Sequence, residues 1–262
     1  MKYPYLVLFL IHFNALAKDP FENFSEYGKL DESEIHQKHQ GEFLYGDTEL
    51  GFILTSGNTD STTAKLKANI YQDFESWRNQ YKFDSLFKRD LNEITGESKT
   101  TASRVFFSSQ ANYKLAQFDE SFFVYGGYEN DRFNGVAYKS TLVSGYGNRL
   151  LALKKDRIDF DIGPGLSAQK NTDNSSQSGF LIRIALQWER LISSRSRFNQ
   201  AISYEQSLSG LSSRLKSETA LVSRVNGALS VKFSYLYRYN SKPEVDKLSF
   251  DSETSATLVF NF

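Results

Sequence analysis

A period-two alternation begins near Phe43 and recurs to the last residue, Phe262, and no other feature constrains the fold as tightly. Side chains along a β-strand point alternately to opposite faces, so a strand between unlike environments separates its residues by parity. Phe180, Ile182, Ile184, Leu186 and Trp188 share one parity, against Arg183, Ala185, Gln187 and Glu189. Leu229, Val231, Phe233, Tyr235, Tyr237 and Tyr239 stand opposite Ser230, Lys232, Ser234 and Arg238. Ala256, Leu258, Phe260 and Phe262 stand opposite Ser255, Thr257 and Asn261. Weaker runs around Leu50, Leu66, Phe83, Phe107 and Phe160 obey the same rule. Strands near residues 121–129, 138–148, 197–207 and 216–225 bring the expected number to about twelve.

Connections between these runs alternate in length. Short ones fall at residues 75–79, 117–120, 154–156, 193–196 and 226–227. Longer polar ones fall at 56–61, 89–101, 129–137, 170–178, 207–217 and 240–248. Short periplasmic turns and long outer loops characterise barrels of the bacterial outer membrane. With twelve strands both chain ends lie on the periplasmic side.

A soluble barrel also alternates, but three features point to a bilayer. The apolar faces carry no charge, as expected where a midplane Lys or Arg costs about 2–4 kcal/mol. Aromatic residues such as Tyr113, Trp188, Tyr204, Tyr237 and Tyr239 fall at strand ends, where an amphipathic ring suits the interface. The chain also stops inside a strand, at Leu258-Val259-Phe260-Asn261-Phe262. An open apolar edge there invites aggregation, whereas closure onto the first strand removes it. The 22 Phe, 15 Tyr, 16 Gly and four Pro suit a sheet with many turns. The expected class is all-β: a transmembrane up-and-down antiparallel barrel of about 12 strands over residues 43–262.

Residues 1–17 read as a secretory signal: Lys2, an apolar run over residues 5–11, then Ala15-Leu16-Ala17 with cleavage expected after Ala17. Residues 18–42 are polar, lack an apolar period and read as a periplasmic lead segment. No later run reaches the roughly 20 apolar residues of a membrane-spanning helix. The expected location is the outer membrane, with its lipid as the main partner.

Composition narrows the chemistry. The 31 basic and 31 acidic residues balance, so no basic field favours nucleic acid. With no cysteine there is no disulfide framework and no thiol nucleophile. His12 leaves with the signal, and His36 and His39 precede the barrel, so no wall position can carry the Ser–His pair of an outer-membrane phospholipase. His36 and His39 near Glu32 and Glu42 read as solvated side chains of a polar tether, so no metal is expected. Asp159 and Asp161 share a face, the ordinary filling of a polar lumen. Gly163-Pro164-Gly165 lacks the Lys-Ser/Thr of a phosphate loop and reads as a bend or early strand end. No cofactor and no catalysis are expected.

Several short motifs occur in order. They are Gly46-Asp47-Thr48-Glu49-Leu50-Gly51-Phe52, Ser56-Gly57-Asn58-Thr59, Asp131-Arg132-Phe133-Asn134-Gly135, Gly145-Tyr146-Gly147 and Gly163-Pro164-Gly165. In this order they resemble the uncharacterised family labelled salt-induced outer-membrane proteins, over residues 43–262. The resemblance implies fold and location and no biochemical function. The aromatic end, Phe260 and Phe262, resembles the signal that the barrel-assembly machinery reads in a C-terminal strand.

The lumen remains as the candidate site. Parity turns Lys65, Lys67, Lys82, Arg104, Arg183, Arg224, Lys232 and Arg238 inward, with Glu49, Asp84, Asp159, Asp161, Glu189, Glu205 and Glu218. These charges either brace the wall or line a narrow path for an ion or small solute. Eight-stranded barrels are filled and sixteen-stranded ones leave a channel, so twelve lies between. The leading expectation is an envelope-integrity or stress-related barrel with a possible narrow pore. Binding or adhesion by the outer loops is the alternative, and an outer-membrane enzyme comes third.

Overall fold

A computed structural model describes residues 43–55, 60–91, 98–115, 119–210, 212–243 and 248–262. The signal at 1–17 and the lead segment at 18–42 lie outside the described residues.

Twelve strands follow one another: β1 (Phe43–Thr55), β2 (Asp60–Asp73), β3 (Trp77–Leu91), β4 (Ser98–Lys114), β5 (Glu120–Asp131), β6 (Val136–Ala152), β7 (Asp156–Asn171), β8 (Ser176–Ser193), β9 (Ser196–Ser207), β10 (Arg214–Asn226), β11 (Leu229–Asn240) and β12 (Phe250–Asn261). Each pairs with its neighbours in sequence, and β1 pairs antiparallel with β12, so the sheet is a closed barrel. A strand needs only about 9–11 residues to cross a bilayer at its usual tilt. These strands have 12 to 18 residues, so they extend beyond the hydrocarbon. That extension shortens the outer connections: β3 and β4 stay paired up to Leu91↔Ser98, inside the segment expected to be a loop.

The barrel is apolar outside and polar inside. Phe52, Phe180, Phe233 and Leu258 face outward and are exposed, whereas Glu49, Lys65, Arg104 and Lys232 are buried within. This inverted arrangement is stable only where the exterior meets hydrocarbon, as in a barrel that crosses a membrane. One stretch of the inner wall is apolar as well. Phe123 and Tyr125 on β5, Val143 on β6 and Leu181 on β8 pack together inside the barrel.

Two of the motifs now have a structural reason. Residues 132–134 form a single 3-10 turn between β5 and β6; the Asp131 carboxylate accepts the Asn134 backbone N–H at 3.3 Å, and Gly135 closes the turn at φ 83°. That left-handed conformation favours glycine. Gly163-Pro164-Gly165 corrects the expectation of an early strand end. β7 continues to Asn171, and its register with β8 is unbroken through Gly163↔Arg183, Pro164↔Ile182 and Gly165↔Leu181. The ladder is interrupted only on the β6 side, between Val143↔Gly165 and Tyr146↔Ile162. Proline lacks the N–H for that rung, and the chain answers by bringing the two backbones together. A Cβ at Gly163 would run into the Ser144 carbonyl and come 2.9 Å from Gly145 Cα.

Closure between β1 and β12 is short. The paired register runs from Asp47↔Asn261 to Leu50↔Leu258. At the turn end, Gly46 N–H donates to the Phe262 carbonyl at 2.9 Å and Phe262 N–H returns to the Gly46 carbonyl at 3.0 Å. The Phe262 ring occupies the space a Cβ at Gly46 would need. Beyond Leu50↔Leu258 no further β1–β12 pair forms among the described residues, and an outer groove of about 660 Å³ lies there, lined by Leu50, Phe52, Leu66, Phe87, Ala256 and Leu258.

Candidate functional site

Most of the inward ion pairs sort into three groups along the lumen. The largest lies behind the closing seam. Lys232 on β11 donates to Glu49 on β1 at 2.5 Å and to Glu218 on β10 at 2.9 Å. Glu218 also accepts from Lys67 on β2 at 3.0 Å, and Lys67 lies 3.8 Å from Asp84 on β3. Asp84 accepts from Arg104 on β4 at 3.2 Å, and Arg104 lies 3.5 Å from Glu253 on β12. Glu253 also accepts from Lys65 on β2, whose ammonium reaches Ser255 at 2.9 Å. Thr257 on β12 donates to Glu49 at 3.3 Å.

Four cations, Lys65, Lys67, Arg104 and Lys232, therefore meet four carboxylates, Glu49, Asp84, Glu218 and Glu253. The balance matters because a buried charge without a partner costs several kcal/mol, whereas a paired and hydrogen-bonded one is tolerated. Lys232 reaches past β12, and Lys65 past β1, so side chains bridge the seam where the backbone ladder is short. Gly51 makes the second crossing possible: a Cβ there would stand 3.0 Å from the Thr257 methyl and 3.4 Å from Lys65 Cβ.

A second group lies at the turn end. Asp159 takes Arg149 at 2.8 Å and Arg157 at 3.1 Å, and Arg157 also meets Glu189 at 3.1 Å. Lys114 pairs with Asp73, and Tyr45 and Tyr71 stack at 5.0 Å beside them on the inner wall. Asp159 and Asp161 thus do not act as a carboxylate pair: Asp161 instead accepts from Gln110 of β4 at 3.0 Å.

The third group approaches the loop end. Lys139 pairs with Glu205, and Arg214 meets Glu129 at 3.0 Å and Gln169 at 2.8 Å. Asn134 from the 3-10 turn reaches Asp251 of β12 at 2.9 Å, tying the β5–β6 connection to the far wall. Arg238 stands opposite Asp251, and Arg224 lies opposite Ser230 near the turn end.

Lys82 and Arg183 face the middle of the lumen. Lys139, Arg149, Arg157, Arg214, Lys216 and Glu253 belong to the same inner wall and were absent from the residues singled out by sequence. Parity was the available signal: Lys216 shares the face of Glu218, and Glu253 that of Ser255 and Thr257. It was obscured on β5, β6 and β10, where Phe123, Tyr125, Val143, Ala220 and Val222 also turn inward. Among the described residues no group of His, Cys, Asp or Glu could hold a metal ion.

A family described as "Protein of unknown function, DUF481" matches residues 48–262. The chain belongs to that family. A relative, "Uncharacterized protein YdiY" of Escherichia coli strain K12, is 25% identical over 200 residues, covering 76% of this chain and 75% of that protein. Among solved structures, an outer-membrane channel from Pseudomonas putida F1 covers 84% of this chain and 95% of its own at 8% identity, with a TM-score of 0.48. The beta domain of the Bordetella autotransporter BrkA covers 84% and 98% at 10% identity, with a TM-score of 0.42. The outer-membrane channel DcaP of Acinetobacter baumannii covers 84% and 97% at 8% identity, with a TM-score of 0.40.

Proposed function

We infer that this member of the DUF481 family is an outer-membrane barrel that contributes to envelope integrity and whose narrow polar lumen passes only small ions or solutes, at low conductance. One observation carries this reading: side chains from strands that are not neighbours touch across the lumen. Lys67 of β2 meets Glu218 of β10, Gln110 of β4 meets Asp161 of β7, and Lys216 of β10 lies 4.6 Å from the ring of Phe106 on β4. A wide aqueous pore would keep these groups apart and hydrated. Interlocked charges instead brace the wall and restrict what can pass.

Export by a signal cleaved after Ala17, delivery to the barrel-assembly machinery through Phe260 and Phe262, and lodging in outer-membrane lipid complete the proposal. Cell fractionation tests the location: the protein is expected in outer membranes with heat-modifiable migration on gels, and recovery from the soluble periplasm would overturn it. Planar-bilayer recording of refolded protein tests the lumen. Small, weakly selective steps or a closed barrel are expected, and large porin-like steps would refute the filled lumen.

A further inference from the structure

Three inward cations, Lys82, Arg183 and Lys216, form no ion pair among the described residues, and they converge on one stretch of β4. Lys216 crosses from β10 to place its ammonium 4.6 Å from the Phe106 ring. Phe106 is paired with Asp84, and Lys82, the next inward residue along β3, is paired with Ser108. Arg183 crosses from β8 to place its guanidinium carbon 4.1 Å over the ring of Tyr125 on β5. Tyr125 is paired with Gln110, the next inward residue of β4 after Ser108. The cations therefore surround residues 106–110 at the middle of the lumen.

Each neighbouring carboxylate but Asp161 has another cation as its ion-pair partner. Asp84 holds Arg104, Glu218 holds Lys67 and Lys232, and Glu205 holds Lys139. Asp161 remains. One of its oxygens accepts from Gln110, and the other lies over Gly147, 2.5 Å from where a Cβ would stand, on the turn-end side. Three positive groups thus face Asp161 without an ion pair to it or to any other carboxylate among the described residues, although Arg183 stands in register with Glu205. Aromatic faces under Arg183 and Lys216 offset part of the desolvation of these cations, but they accept no directed N–H···O bond. Arg183 is only 9% exposed, and its Nη1 is buried without a hydrogen-bond partner. A buried guanidinium N–H facing excess positive charge calls for an anionic acceptor.

We propose that the middle of the lumen is a binding site for a free tetrahedral oxyanion, of the size of phosphate or sulfate, held by Lys82, Arg183 and Lys216. The planar fork of Arg183 fits two oxygens of such an ion, and the two ammonium groups act as point charges on the others. The site rests on the reading of the lumen as a narrow polar path, since the ion must enter from water.

The test uses the full mature chain refolded in detergent. Unfolding temperature is followed in rising inorganic phosphate against chloride at matched ionic strength, since a ligand bound only by the folded state raises stability with its concentration. The expected result is a progressive rise in phosphate beyond that in chloride. The rise is lost in Lys82→Gln and Lys216→Gln and kept in Lys88→Gln, whose partner Asp90 lies towards the loop end. Equilibrium dialysis of radiolabelled phosphate against wild-type protein measures binding directly, so the proposal stays testable where a variant does not fold. Equal unfolding temperatures in the two salts, absence of retained phosphate, or a rise that survives loss of both lysines would each overturn it. Phosphate binding by protein that shows no conductance would remove the pore and leave the site, whereas conductance without phosphate binding would remove the site and leave the pore.

Discussion

Replacing Lys232 with Met tests whether the charge network holds the closing seam. Lys232 is the only cation within salt-bridge distance of Glu49 among the described residues, and Glu49 is 1% exposed. Glu218 keeps Lys67 when Lys232 is lost, and Glu49 keeps the Thr257 hydroxyl. The loss is therefore borne by one buried carboxylate that retains a neutral hydrogen bond. Removing one partner of a buried pair costs about 3–5 kcal/mol, and the remaining Thr257 contact places this case near 3 kcal/mol. Lys88→Met is the reference: the Lys88–Asp90 pair is 3.4 Å apart, its side chains are 42% and 28% exposed, and such pairs are worth about 0–1 kcal/mol. In a urea refolding titration, Lys232→Met is expected to shift the midpoint far more than Lys88→Met. Adding Glu49→Gln should restore about 2 kcal/mol, because the orphaned charge disappears. Additive effects in this double-mutant cycle, or equal midpoints for Lys232→Met and Lys88→Met, would refute the seam argument.

Two further substitutions probe the wall. Arginine at Ile184, which faces outward, should destabilise by about 2–4 kcal/mol near the midplane, and arginine at Gln187, on the inner face opposite Asp159, should be much milder; equal effects in refolding would contradict the register of β8. Gly163→Ala should destabilise by about 1–3 kcal/mol because its Cβ meets the β6 backbone, whereas Gly126→Ala, with open space around it, should leave the midpoint near wild type.

The sequence discloses the wall far better than the lumen, and the reason lies in the period. A slip of one residue would exchange the faces of an entire strand, so an apolar set such as Phe180, Ile182 and Ile184 fixes the facing of Arg183 without any knowledge of neighbours. Partners obey no such rule. Glu49 and Lys232 are 183 residues apart, and Lys65 and Glu253 are 188 apart. Their meeting depends on the tilt and stagger of the closed sheet, which parity does not encode. Where the inner wall turns apolar, at Phe123, Tyr125 and Val143, both faces look alike in sequence. The charges beyond that patch, Lys139 and Arg149, then lose their label. Gly163-Pro164-Gly165 gives no strand end for a related reason: residue preference reports a missing rung, but only the paired register shows that one ladder breaks while the other continues.

The uneven distribution of charge follows from how the barrel must close. Ten consecutive hairpins and the β1–β2 pair join segments that are near in sequence, whereas β1 and β12 meet only after the whole chain is in place. Loop-closure entropy opposes that last contact, though it grows slowly with length. The backbone contribution there is small, because paired register extends only to Leu50↔Leu258 with the Gly46–Phe262 exchange beside it. Charges that skip a strand, Lys232 to Glu49 and Lys65 to Glu253, add their attraction only when β1 and β12 are side by side. A balanced set of four and four costs little in that closed state. An open seam would leave Glu49, Thr257 and Glu253 without the partners they have here, so the same network penalises any half-closed barrel. The mid-lumen cations do not serve this purpose, since Lys82, Arg183 and Lys216 lie away from the seam and form no ion pair among the described residues. Their excess charge is the part of the lumen that bracing leaves unexplained.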